Sequence, residues 1–175
     1  VGWSTSTHIS RARACGVSSP DDQWRLGNLS DPASRLGQSP LHAPSVFNFY
    51  RPGYVPPGTA IATAQLVAPE FQITTESSVA GYLNFMQGVI SNTNGIVGSD
   101  LRPDYSAWLP LAGDAARLAA ECNLVFASCA MCATTMNTIT TALAARPIAT
   151  QAEQLRRVHA AVLLTMAAPE YLVQQ

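Results

Sequence analysis

The sequence predicts an all-α fold, a helical bundle entered through a long ordered loop segment rich in proline and aromatic residues on its N-terminal side. Three observations carry this. Turn formers crowd the first 74 residues, apolar residues recur at helical spacing in four stretches after residue 75, and no alternating apolar and polar run reaches strand length. At 175 residues the chain suits one domain of ordinary size, able to bury roughly 70% of the surface that its unfolded form exposes. It reads as a single part, 1–175, made of a loop-rich segment 1–74 and a helical segment 75–175.

In the loop-rich segment, Ser19-Pro20-Asp21, Ser30-Asp31-Pro32, Ser39-Pro40, Arg51-Pro52-Gly53 and Pro56-Pro57-Gly58 follow one another closely. Each proline biases its predecessor away from the helical region, so only short helices fit. One turn is expected over 31–36, with Pro32 at the first helical position, and another over 45–50. The stretch APSVFNFYRPGYVPPGTA, residues 43–60, holds four aromatics and four prolines. It is too broken for a long helix and too aromatic for a solvated linker, so it is an ordered loop lying on something.

The first long helix is expected over 75–90, opened by the Thr75 hydroxyl and carrying Val79, Tyr82, Leu83, Phe85 and Met86. Residues 92–100, NTNGIVGSD, read as a turn. A second helix starts at Gly113-Asp114 and carries Leu118, Cys122, Leu124, Val125 and Phe126; a third covers 133–145 and ends before Pro147. The fourth has the plainest start signal, Thr150-Gln151-Ala152-Glu153, a capping box in which hydroxyl and carboxylate satisfy each other's backbone donors. Leu155, Val158, Val162 and Met166 form its apolar stripe, with Gln151, Gln154, Arg156 and Arg157 directed elsewhere. Pro169 closes or kinks it and leaves a tail to dock.

Composition excludes several functions. All ten basic residues are arginine, the net charge is −1 and no basic stripe occurs, so no nucleic-acid partner is expected. No window approaches the 18 or so apolar residues that spanning a membrane requires. The chain opens at Val1 with no recognisable targeting signal, which reads as a processed or partial chain. Charged residues make up 12%, against about 25% in an average soluble domain, and so little surface charge fits a chain that packs against further protein.

SVFNFYRPGYVPPGTA, followed by LVAPEFQI, VAGYLNFM and RVHAAVLLTMAAPEYLVQQ, resembles the C-terminal part of the bacterial domain of unknown function 1800 family. WRLGNLSDPASRLGQSPLHAPSVFNFY extends the resemblance over nearly the whole chain. Family members are larger, so the resemblance implies that an N-terminal part is absent here. It also implies a periplasmic or extracellular setting, because members look like exported bacterial proteins, and it brings no catalytic residue. The family shows the same aromatic and proline loop. A physical reading follows, in which Phe47, Phe49, Tyr50 and Tyr54 insert into the helical core as anchors and the prolines lower the entropy cost of ordering them. Each buried ring would contribute roughly 1.5 to 3 kcal/mol. An aromatic platform for a ligand such as a sugar is the alternative.

Few residues form constellations able to carry chemistry. If 118–133 were one helix, Cys122, Cys129 and Cys132 would share a face and make a thiol cluster for a metal. C-x-x-C is not followed by His, however, and no second pair completes a zinc set, so inert cysteines or a Cys129–Cys132 disulfide are preferred and no metal or cofactor is expected. Where this chain reads SCAMCATT, the family looks to have a Gly ending one helix and a Ser capping the next. His42 precedes the aromatic loop and would make a polar site if it met Asp31 and Arg51. His159 reads as a packed, hydrogen-bonded imidazole. Asp100 and Asp104 are read as solvated rather than as a calcium site, and no serine-nucleophile or phosphate-loop motif occurs. Two functions remain. One is a structural or interaction role, with the remainder of the parent protein or other subunits as partners. The other is part of an extracytoplasmic hydrolase or oxidoreductase whose catalytic residues lie mainly outside this chain.

Overall fold

The computed structural model describes residues 16–25, 27–91 and 101–172. Cys15 and the expected turn over 92–100, with Asp100, lie outside the described residues. Among those described there are six α-helices: α1 (Ala60–Thr63), α2 (Glu76–Ser91), α3 (Ala115–Ala127), α4 (Ala133–Ala144), α5 (Gln151–Met166) and α6 (Pro169–Leu172). Two 3-10 turns, Pro69–Ile73 and Leu109–Leu111, join them. The sheet structure is one antiparallel pair of two residues each, β1 (Val17–Ser18) against β2 (Arg102–Pro103), in the register Val17 to Pro103. The chain is therefore mostly helical, as the apolar periodicity predicts.

Local chemistry sets the helix starts. The Thr75 hydroxyl accepts the Ser78 N–H at 3.2 Å while the Ser78 hydroxyl accepts the Thr75 N–H at 2.7 Å, which opens α2. Asp114 accepts the N–H groups of Ala116 and Arg117, both at 3.0 Å, at the start of α3. At α5 the capping box is complete, with Glu153 N–H donating to the Thr150 hydroxyl at 3.2 Å and Thr150 N–H donating to Glu153 Oε2 at 3.0 Å. α4 opens without such a cap, for its N-cap residue is Cys132.

The chain divides into two compact units, 26–86 and the combination of 1–25 with 87–175; the line between them falls inside α2. In the larger unit α3, α4 and α5 pack on one another, α3 against α5 most broadly. Its largest fully buried side chains among the described residues are Leu118, Leu143, Val158, Thr165 and Cys122. Truncating either leucine to alanine would cost about 2 to 5 kcal/mol, the lost transfer energy plus the cavity left behind.

Burial on α5 corrects the stripe expected from spacing. Val158 and Val162 are buried, but Leu155 and Met166 are only half-buried, and Arg157, Ala160, Ala161 and Thr165 complete the buried face. Arg157, expected to face elsewhere, is 5% exposed. Its guanidinium donates from Nη1 to the Ala112 carbonyl at 3.1 Å and from Nη2 to the Arg146 carbonyl. These carbonyls lie in the connections before α3 and after α4, and an arginine fork can satisfy both at once.

In the smaller unit the sequence 31–36 makes the single turn its proline suggests, closed by Arg35 N–H on the Asp31 carbonyl at 2.9 Å and by Ala33 N–H on Asp31 Oδ1 at 2.9 Å. Residues 45–50 form successive turns rather than a helical turn, with Asn48 in the left-handed region at φ 66°. Against the 31–36 turn lies α2. Phe85 is buried, with the Arg35 guanidinium 5.6 Å from its ring centroid, within reach of a cation–π attraction. Gly81 permits this approach, because a Cβ there would stand 2.6 Å from the Pro32 carbonyl oxygen and 2.8 Å from the Ala33 backbone.

Two outcomes follow. Gly81→Ala should lower stability by up to about 2 kcal/mol, since a cost of roughly 1–3 kcal/mol for overpacking against rigid backbone outweighs the ~1 kcal/mol gained in helix propensity. Gly88→Ala, where a Cβ meets nothing within 4 Å, should instead raise stability by up to about 1 kcal/mol; urea melts of the two variants would show opposite signs. Arg157→Met should cost about 2 to 4 kcal/mol by the same measurement, because two carbonyls lose their charged donor while the core keeps its volume.

Candidate functional site

Two adjoining hollows in the larger unit meet at His159. The larger, about 350 Å³, is lined by the end of α2 at Ile90 and Ser91, by Asp104, Tyr105, Ser106 and Leu109 after β2, and by Leu155 and His159 of α5. The smaller, about 190 Å³, shares Ile90, Ser91 and His159 and adds Gln87, Arg146, Arg156 and Leu163. The spacings dictate this placement: Leu155, His159 and Leu163 follow one another every four residues on one face of α5, as do Gln87 and Ser91 on α2.

The polar groups of the larger hollow are differently committed. The Tyr105 hydroxyl donates to the Ile90 carbonyl at 3.1 Å, and burial pushes its phenol up to about 12, so it stays protonated. The Tyr105 ring meets the His159 ring edge-on, with centroids 4.9 Å apart and planes at 62°. Asp104 accepts the N–H and hydroxyl of Ser106 at 2.8 and 3.0 Å, which leaves it a turn-forming residue. His159 is half-buried, and burial lowers its imidazole below the ordinary 6.5, so the ring is neutral at pH 7. The hydrogen-bonded imidazole expected from the sequence is thus corrected to a neutral one packed on Tyr105, without a hydrogen-bond partner among the described residues. It offers one donor and one acceptor to the hollows.

The thiols do not gather. α3 ends at Ala127, and Ser128 and Cys129 follow at φ 50° and 65°, so the continuous helix that would align three cysteines does not exist. Cys122 is buried, and burial pushes its thiol up to about 12 although the Thr165 hydroxyl lies beside it, which makes it a poor nucleophile. Cys129 and Cys132 are exposed and free. Among the described residues no group of three or more His, Cys, Asp or Glu is placed to hold a metal. The left-handed residues stand where a glycine would sit without strain and Cys132 where a serine would cap α4. Glu170 of α6 takes over that cap. Its Oε1 accepts the Cys132 N–H at 3.2 Å and the Thr135 hydroxyl at 2.8 Å. Its own backbone N–H, then Thr135, then Cys132 hold the carboxyl down at about 2 from the ordinary 4.5, against a small opposing effect of burial.

His42, Asp31 and Arg51 are all exposed, and no hydrogen bond or ion pair joins them. Asp31 serves its own turn through Ser34 and Ala33, which hold its carboxyl below the usual range. The Arg51 N–H donates to Gln72 Oε1 at 2.8 Å. Of the four rings expected as anchors, Phe47 is 65% exposed, while Phe49, Tyr50 and Tyr54 are half-buried. Phe47 is therefore not buried within this chain; the residue after it, Asn48, is in the left-handed region. The Tyr54 carbonyl instead fastens its loop, accepting Ala68 N–H at 2.9 Å.

Fold and site together define a helical protein whose conspicuous hollow holds a neutral imidazole and a packed phenol ring and gathers no nucleophile or metal set among the described residues. More particularly, residues 6–173 match the model of the family described as protein of unknown function (DUF1800), and the chain belongs to that family. No curated protein and no solved structure matches it.

The Glu170 cap makes acid stability depend on one carboxylate. A carboxyl whose folded value is depressed stabilises the fold above its unfolded value and loses that contribution as pH falls through the folded one. The contribution should therefore be full above about pH 4.5 and vanish toward pH 2. Thermal melts of Glu170→Gln between pH 2 and 7 should show a lowered midpoint near neutrality and a shallower acid decline than the parent chain.

Proposed function

We propose that this chain is a helical part with a structural or protein-interaction role in a larger extracytoplasmic protein or assembly, in contact with the remainder of its own parent polypeptide or with other subunits. One observation carries the reading. Among the described residues, twelve large apolar side chains stand more than about a third exposed, on a chain with only 12% charged residues. On α3, Leu124 and Val125 are 55% and 51% exposed, and α6, which packs on α3, adds Leu172 at 53%. Exposed apolar side chains in such number are what a partner surface covers.

The enzymatic alternative, a hydrolase or oxidoreductase completed elsewhere, draws no support from His42, Asp31 and Arg51, which no hydrogen bond or ion pair joins. The extracytoplasmic setting is supported by the resemblance to exported bacterial proteins, and cell fractionation checks it. No helix among the described residues is long and apolar enough to cross a membrane.

Native mass measurement on the protein purified from its source tests the role. The chain should be found in a species well above 18.6 kDa, and a lone 18.6 kDa monomer would refute the proposal. Leu124→Glu with Val125→Glu should leave the melting free energy within about 0.5 kcal/mol, as exposed positions allow, yet weaken the association at least about tenfold, as lost core contacts of an interface do.

A further inference from the structure

The paired hollows around His159 have unlike linings. The larger is lined by Leu109, Leu155 and Tyr105 and by Asp104, whose carboxylate is already occupied by Ser106. The smaller is lined by Arg146 and Arg156. Both are exposed, and neither is ion-paired or hydrogen-bonded through its side chain to any group among the described residues. The acid nearest Arg156 in sequence, Glu153, is taken by the Thr150 cap. On a chain of net charge −1 with ten arginines, two unengaged guanidiniums beside a neutral imidazole make a local anion preference that nothing within the described chain satisfies.

We propose that these hollows bind one small organic carboxylate, its anionic head held by Arg146 and Arg156 and its apolar body lying past His159 against the Tyr105 ring. The Tyr105 hydroxyl is already committed to the Ile90 carbonyl, so the residue meets the ligand through the apolar carbons of its ring. Asp104 sets the polarity. A second anionic group at the far end is repelled, so the body ends in a neutral or donating group. His159 sits at the join and gives the ligand one directed hydrogen bond, which sets its depth. The combined space suits a molecule of one ring with a short chain. The inference is independent of the interaction role, because it rests on the α2–α5 side of the larger unit and not on Leu124 and Val125.

Phenylacetate, its neutral amide phenylacetamide and inorganic phosphate are the probes, followed by NMR of the histidine and tyrosine rings of the full chain, with His159→Gln identifying the His159 signals. Phenylacetate should shift the His159 and Tyr105 signals saturably below about 10 mM. Phenylacetamide and phosphate should each bind at least about tenfold more weakly, the worth of a charge-assisted contact and of the apolar body respectively. Arg146→Gln with Arg156→Gln should weaken phenylacetate about tenfold or more; both positions are exposed, and an unchanged melting midpoint confirms the fold. Equal affinity for acid and amide, equal affinity for phosphate, an unaffected double variant, or shifts confined to other residues would each overturn the proposal.

Discussion

The larger unit is organised around a buried cation. Arg157 sits in the middle of α5, at a position where spacing alone would put a surface residue, and donates to the carbonyls of Ala112 and Arg146. Those carbonyls belong to the two connections that flank the α3–α4 pair, so one side chain fixes where the pair begins and ends relative to α5. The geometry needs a planar fork, because an ammonium at the same place would reach one carbonyl and leave the other dry. It also explains why small residues, Ala160 and Ala161, can fill the neighbouring buried positions. The helices are held at their ends by hydrogen bonds as well as along their length by apolar contact.

The α3–α4 connection shows the opposite economy, a local defect repaired from a distance. Two consecutive non-glycine residues, Ser128 and Cys129, adopt left-handed backbone to end α3, at a cost that glycine would avoid. The helix that follows starts on a cysteine whose thiol does not cap it. Glu170, 38 residues further on, lends its carboxylate to the Cys132 N–H, where the positive end of the α4 dipole favours a negative charge. The short helix α6 is thereby tied to the bundle, and the segment that the sequence shows only as a tail after Pro169 becomes the cap of another helix.

How much of this was legible follows from the range of each interaction. Thr75, Asp114 and Thr150 cap groups two or three residues away, and all three starts can be read from sequence because donor and acceptor are neighbours. The mostly helical class is legible for the same reason, through the apolar repeats. Arg157 is not, because its acceptors are main-chain carbonyls 45 and 11 residues away, which every residue possesses and no pattern marks. The hollow was half legible. Leu155 and His159 share a helix face by their spacing of four, but Tyr105 and the end of α2 reach that face only through the tertiary fold. Three cysteines at helical spacing align only if the helix continues, and the left-handed pair at Ser128 and Cys129 stops it. The exposure of Phe47 is not legible either, because counting rings says nothing of which of them the fold buries.

The use of arginine alone as the basic residue is intelligible from these contacts. Arg157 forks between two carbonyls, Arg35 lies over the Phe85 ring, and Arg25 pairs with Asp21 one helical spacing earlier. The first two exploit a flat, weakly hydrated cation that can be partly or wholly taken from water, a role a strongly hydrated ammonium fills poorly. In a chain with so few charges, each cation that enters the fold does so as a packing element with directed donors. Arg146 and Arg156 have the same chemistry and no such employment within the described chain, and that contrast, more than their charge, singles out the hollow that they line.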